Sequence, residues 1–71
     1  MFKVYTQKNC VYCDKAKALL KKKNIRFEEI LVNDNEEAKT LLKEKNLYTV
    51  PQIWNGDIHI GGFSELALKF K

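Results

Sequence analysis

The feature that most restricts how this 71-residue chain can fold is where its only two cysteines stand. Cys10 and Cys13, separated by Val11 and Tyr12, lie between a β-prone stretch, Phe2-Lys3-Val4-Tyr5-Thr6, and a run from Val11 to Lys23 without Gly or Pro. A strand that enters a helix through a C-x-x-C pair places two thiols at one junction, close enough to form a small disulfide ring and reopen it. If the helix begins at Cys10, the outward-pointing N–H groups of its first turn favour a thiolate there. The same four residues also resemble half of a zinc site, so the rest of the chain must decide between the two readings.

The length admits one domain, residues 1–71, and leaves a small core, since domains below roughly 70–80 residues have little stability to spare. A hydrophobic share of 45% is that of an ordinary globular protein. Two cysteines three apart cannot staple a secreted mini-protein, so they read as working thiols in a reducing compartment. Lys3 interrupts the apolar positions of the first residues, and no apolar run approaches the ~20 residues of a membrane span. A cytoplasmic monomer without membrane partners is the expectation. The net charge of +4 is concentrated in Lys15, Lys17, Lys21, Lys22 and Lys23, which read first as a solvated helix face and second as an attraction for acidic partners. No nucleic-acid motif accompanies them.

Along the chain, Phe2 to Thr6 reads as a first strand and Thr6-Gln7-Lys8-Asn9 as a polar loop. Cys13, Ala16, Leu19, Leu20 and Lys23 recur at helical steps, and Asn24 marks the stop. Phe27 to Val32 is a second strand. Asn33-Asp34-Asn35 followed by Glu36 and Glu37 opens a second helix whose apolar face is Ala38, Leu41 and Leu42, ending near Asn46. Gln52-Ile53-Trp54 and Ile58-His59-Ile60 flank Asn55-Gly56-Asp57, a strong hairpin signal. Gly61-Gly62 breaks the last strand, and Ser64 is the expected cap of a third helix with Leu66, Ala67 and Phe70 inward. The order β-α-β-α-β-β-α predicts an α/β fold: a four-stranded mixed sheet flanked by three helices.

On this plan Cys10 lies at the carboxyl end of a parallel strand, where open α/β sheets put their binding crevices. Its sulfur can accept from N–H groups near Tyr12 and Cys13. Cys13, three residues on, falls on the apolar stripe and should be more buried and less ionised. Cys10 is then the nucleophile and Cys13 the resolving thiol. Lys8 adds positive potential nearby; Asp14 opposes it, although an acid is ordinary in a first helical turn.

Cys10-Val11-Tyr12-Cys13, then Thr49-Val50-Pro51, then Gly61-Gly62 before a last helix resembles the glutaredoxin family over nearly the whole chain. Met1-Phe2-Lys3-Val4-Tyr5 and Ile60-Gly61-Gly62-Phe63 look most like the phage-type glutaredoxins. The resemblance implies a minimal thioredoxin fold and a cis Pro51 opposite Cys10, with the Val50 backbone turned toward the crevice to pair with an extended substrate. It implies glutathione as reducing co-substrate, no bound cofactor, and binding groups at Lys8, Tyr12, Thr49, Val50, Pro51, Gly62, Phe63 and Ser64, with Gly62 to Ser64 opening the third helix toward a carboxylate. Disulfide-containing proteins, including ribonucleotide reductase, are the implied partners.

The chain departs from the family where Val11 replaces a common Pro, keeping a backbone N–H, and where Ser64 replaces a common acidic residue. Gly62-Phe63 also resembles the small redoxins recycled by thioredoxin reductase. Against these, a closed structural zinc site needs four ligands, and the chain offers two cysteines and a distant His59. An iron–sulfur or metal-binding module is the reading of another class. His59 reads as an ordinary polar hairpin residue, and Trp54 and Phe63 as core.

Overall fold

The computed structural model describes all 71 residues. Chain order is β1 (Phe2–Thr6), α1 (Val11–Lys22), β2 (Phe27–Leu31), a 3-10 turn (Val32–Asp34), α2 (Glu36–Glu44), β3 (Gln52–Asn55), β4 (Ile58–Gly61) and α3 (Phe63–Lys69). The sheet runs β2-β1-β3-β4. β1 pairs in parallel with β2, and antiparallel with β3, which pairs antiparallel with β4. The four-stranded mixed sheet with three helices is the architecture expected from the sequence.

Side chains alternate across β1, so the sheet separates two cores. Val4 and its cross-strand partner Ile53 are fully buried with Ala16 and Leu20 of α1 and Leu66 of α3. Tyr5, one residue on, faces the other way and packs with Trp54, Ala38 and Leu42 beneath α2. Tyr5 meets Trp54 edge-on at 5.2 Å between ring centroids, the geometry aromatic quadrupoles favour.

Both long helices end in the same device. Asn24 and Asn46 take the left-handed conformation, each with φ 58°. After α1, the Asn24 N–H reaches Lys21 O (3.0 Å) and the Ile25 N–H reaches Leu20 O (2.9 Å). After α2, Asn46 reaches Lys43 (3.0 Å) and Leu47 reaches Leu42 (2.8 Å). These are paired Schellman bonds, and Ile25 and Leu47 fold back onto the two cores. Asn suits the position because its short polar side chain tolerates positive φ.

Several boundaries differ from the sequence reading: β3 and β4 each run one residue further, through Asn55 and Gly61, so that the strand break falls at Gly62 alone. β2 stops at Leu31, because Val32 enters the 3-10 turn. Ser64 does not cap α3; Gly62 holds that place, and Glu65 Oε1 accepts the Gly62 N–H at 2.7 Å. Glycine has no side chain with which to cap, so the acid one turn in supplies the bond itself. This is the returning half of a capping box.

Candidate active site

The loop from Gln7 to Asn9 delivers Cys10 to the start of α1. Asn9 adopts φ 57°, turning the chain sharply before the helix. The loop is anchored from outside, where the Lys8 N–H donates to Asn33 Oδ1 at 3.0 Å. Asn35, two residues further, caps α2 by accepting the Ala38 N–H at 2.9 Å. The expected cluster of N-cap residues therefore divides its work between two loops.

Cys10 is the N-cap of α1, and its Sγ accepts the Cys13 N–H at 3.1 Å. An N–H aimed at sulfur at a helix start stabilises negative charge there. Cys10 is half-buried, whereas Cys13 is 1% exposed. The two are joined as a disulfide, with 5.2 Å between their Cα atoms. Cys10 is thus the more accessible of the two sulfurs and Cys13 the buried one, the difference in burial expected from the helical spacing. Val11 is 65% exposed, and Asp14 is drawn aside by Lys17 at 3.6 Å.

Across from Cys10 lies Thr49-Val50-Pro51, with a cis bond between Val50 and Pro51. Val50 O is 3.9 Å from Cys10 Sγ. A groove beside this contact is lined by Tyr12, Thr49, Val50, Pro51, Gly62, Phe63, Ser64 and Glu65. Tyr12 and Phe63 form one wall, their ring centroids 6.0 Å apart, and Lys15 Nζ covers the Tyr12 ring at 5.1 Å. Of the binding residues expected from the sequence, all but Lys8 come together here; Lys8 is exposed and does not line the groove.

Glu65 was not anticipated, although Gly62-x-x-Glu65 is a capping signal that could have revealed it. It also explains the glycine pair. A Cβ on Gly61, whose φ is 121°, would stand 2.8 Å from Glu65 Cγ, and one on Gly62 would stand 3.3 Å from Glu65 Oε1. The carboxylate site expected at the head of α3 is correspondingly altered: the helix has seven residues, and Glu65 already occupies the Gly62 N–H.

Two lysines expected on a solvated face have specific partners. Lys15 is the one over Tyr12. Lys17 Nζ bonds Glu29 Oε2 at 2.8 Å, and Thr6 Oγ1 donates to the same oxygen at 2.8 Å, tying α1 to β1 and β2. The bond to Glu29 raises the Lys17 pKa above its ordinary 10.5, and the bond to Lys17 holds Glu29 below its ordinary 4.5. His59 sits on β4, hydrogen-bonded to Gln52 at 2.8 Å and tilted over Trp54, away from the cysteines. No three His, Cys, Asp or Glu side chains converge, and no helix is long and apolar enough to cross a membrane.

The family model for glutaredoxin matches residues 2–60. Glutaredoxin 1 of Rickettsia prowazekii is 46% identical over 66 residues, covering 89% of this chain and 70% of its own length. Among solved structures, the complex of buckwheat glutaredoxin with glutathione superposes with a TM-score of 0.84 at 26% identity, over 97% of this chain and 66% of that one. The glutaredoxin-like NrdH-redoxin of Escherichia coli, described as having a thioredoxin-like activity profile, superposes with a TM-score of 0.86 at 26% identity. The match spans 97% of this chain and 91% of that protein.

Proposed function

The chain belongs to the glutaredoxin family of thiol–disulfide oxidoreductases, with the thioredoxin fold, and on that premise we propose that it is a dithiol glutaredoxin recycled by glutathione. The observation that carries this reading is the pairing of a half-buried Cys10 at a helix N-cap with a buried Cys13 beside an open groove.

In the proposed cycle the Cys10 thiolate attacks one sulfur of a substrate disulfide, and the departing sulfur takes up a proton. The Cys13 thiolate then attacks Cys10 Sγ and expels the second substrate thiol, leaving the Cys10–Cys13 disulfide. Two electrons have moved from the enzyme to the substrate. Two glutathione molecules return them: the first attacks Cys10 Sγ, forming a mixed disulfide and releasing the Cys13 thiol, and the second attacks the glutathione sulfur of that mixed disulfide, releasing the Cys10 thiolate and glutathione disulfide. Tyr12, Thr49, Val50, Pro51, Gly62, Phe63 and Ser64 would hold the glutathionyl group in the groove, Val50 through its backbone as an added strand. Lys8 would contribute through charge from outside it. The protein would work in the cytoplasm as a monomer on protein disulfides and glutathione mixed disulfides. The lysines of α1 favour acidic partners, and ribonucleotide reductase is the one the family resemblance suggests.

The likeness to the NrdH-redoxin supports a second reading, in which thioredoxin reductase is the electron donor. One comparison separates them: reduction of the oxidised protein by glutathione and by NADPH with thioredoxin reductase. Faster reduction by glutathione is expected, and a preference for the flavoenzyme would overturn the glutathione assignment.

A further inference from the structure

Gln52, immediately after Pro51, is one of two buried polar side chains, at 5% exposure. Its amide nitrogen donates to Thr49 O at 2.9 Å and to Thr49 Oγ1 at 3.1 Å. Its amide oxygen lies 2.8 Å from His59 Nε2. The two amide hydrogens are thus both spent on Thr49. An amide oxygen only accepts, so the network assigns the hydrogen to His59 Nε2. The His59 ring is itself seated on Trp54, its cross-strand partner, at 4.5 Å between centroids.

The consequence reaches the groove. Thr49 C=O and Val50 N–H belong to one planar trans peptide, so they point in opposite directions. Drawing the carbonyl inward to Gln52 directs the Val50 N–H outward, and that N–H enters no backbone hydrogen bond. We infer that His59 and Gln52 are positioning residues: through Thr49 they hold the Val50 N–H in the orientation an extended cysteinyl peptide must meet. This rests on the reading of Val50 as the substrate-pairing strand. Neither residue touches the reacting sulfurs.

His59→Phe keeps a ring on Trp54 and removes the donor; His59→Gln restores an N–H. With a glutathionylated peptide as substrate, His59→Phe should raise KM roughly three- to tenfold, the effect of one lost hydrogen bond, and leave kcat within about twofold. Alkylation of reduced Cys10 by iodoacetamide, which needs no strand pairing, should keep its rate. The Val50 amide resonance should shift in His59→Phe and move back in His59→Gln, with KM recovering alongside. An unmoved Val50 resonance with unchanged KM would overturn the inference. So would equal losses in kcat and alkylation, which indicate general damage. If the wild-type protein does not turn over the glutathionylated peptide, the glutathione reading fails on its own. The Val50 resonance then decides the positioning role, a shift supporting it and no shift overturning it.

Discussion

The backbone N–H of Cys13 points at the sulfur of Cys10 from 3.1 Å. In the proposed cycle one residue would thus contribute twice: its peptide would steady charge on Cys10, and its thiol would later displace the substrate from it. The two contributions are separable, because replacing the side chain leaves the N–H in place.

Cys13→Ser should therefore keep a reactive Cys10 and accumulate mixed disulfides with protein substrates, visible by mass spectrometry, while retaining turnover of small glutathione conjugates. Cys10→Ser should lose activity by a factor on the order of a thousand or more, as removal of a covalent nucleophile does. Appreciable disulfide reduction by Cys10→Ser would contradict the assignment of roles.

The Lys17–Glu29 pair gives a pH dependence with a definite sign. Glu29 titrates below its ordinary 4.5 in the folded protein, so its contribution is present above that value and fades as pH falls through the lowered pKa. Lys17 titrates above 10.5, so its contribution is complete below that value and fades as pH rises through the raised pKa. Both side chains are partly solvated, which limits the pair to about 0.2–1 kcal/mol. Urea denaturation of Glu29→Gln should show that deficit at neutral pH and converge on the wild type in strong acid.

Asn24 offers a test of the helix terminus. Asn24→Ala should cost about 1 kcal/mol, because Cβ crowds the carbonyl at positive φ, whereas Asn24→Gly should be close to neutral. Thermal denaturation of the two variants against wild type measures the difference.

Gly61→Ala combines an unfavourable φ with a Cβ 2.8 Å from Glu65 Cγ. Glu65 must then swing away and release the Gly62 N–H. A loss of about 1–3 kcal/mol is expected from strain and the orphaned donor together, with KM for glutathione conjugates rising as the groove wall shifts. Pairing it with Glu65→Ala tests the cause: the clash should largely vanish in the double variant, giving less than the sum of the single losses.

Much of this architecture could be read from the chain, because it depends on residues near one another in sequence. β1, α1, the Asn55-Gly56 turn and the Asn stops at 24 and 46 are set by periodicity and local φ preference. The cysteines were legible for the same reason: their asymmetry follows from three residues of helical spacing. Glu65 was missed because Ser64 offered a better-known cap, and only the three-dimensional turn shows which oxygen reaches Gly62. Lys17 and Gln52 were invisible as anything but polar surface and strand. Their partners, Glu29 and His59, are brought to them by the sheet, and no one-dimensional pattern encodes that pairing.

The sheet divides the molecule into two packed halves, with the cysteine pair on the α1 side and the single tryptophan beneath α2. Trp54 is thereby an intrinsic optical reporter for the half that carries no redox chemistry. Its emission tracks the loosening of the α2 side and of the His59 ring stacked on it. A probe on the opposite side would be needed to follow the disulfide. Opening of the α2 side alone would therefore register as a fluorescence change with no change in accessible thiol, a signature that distinguishes partial opening from reduction.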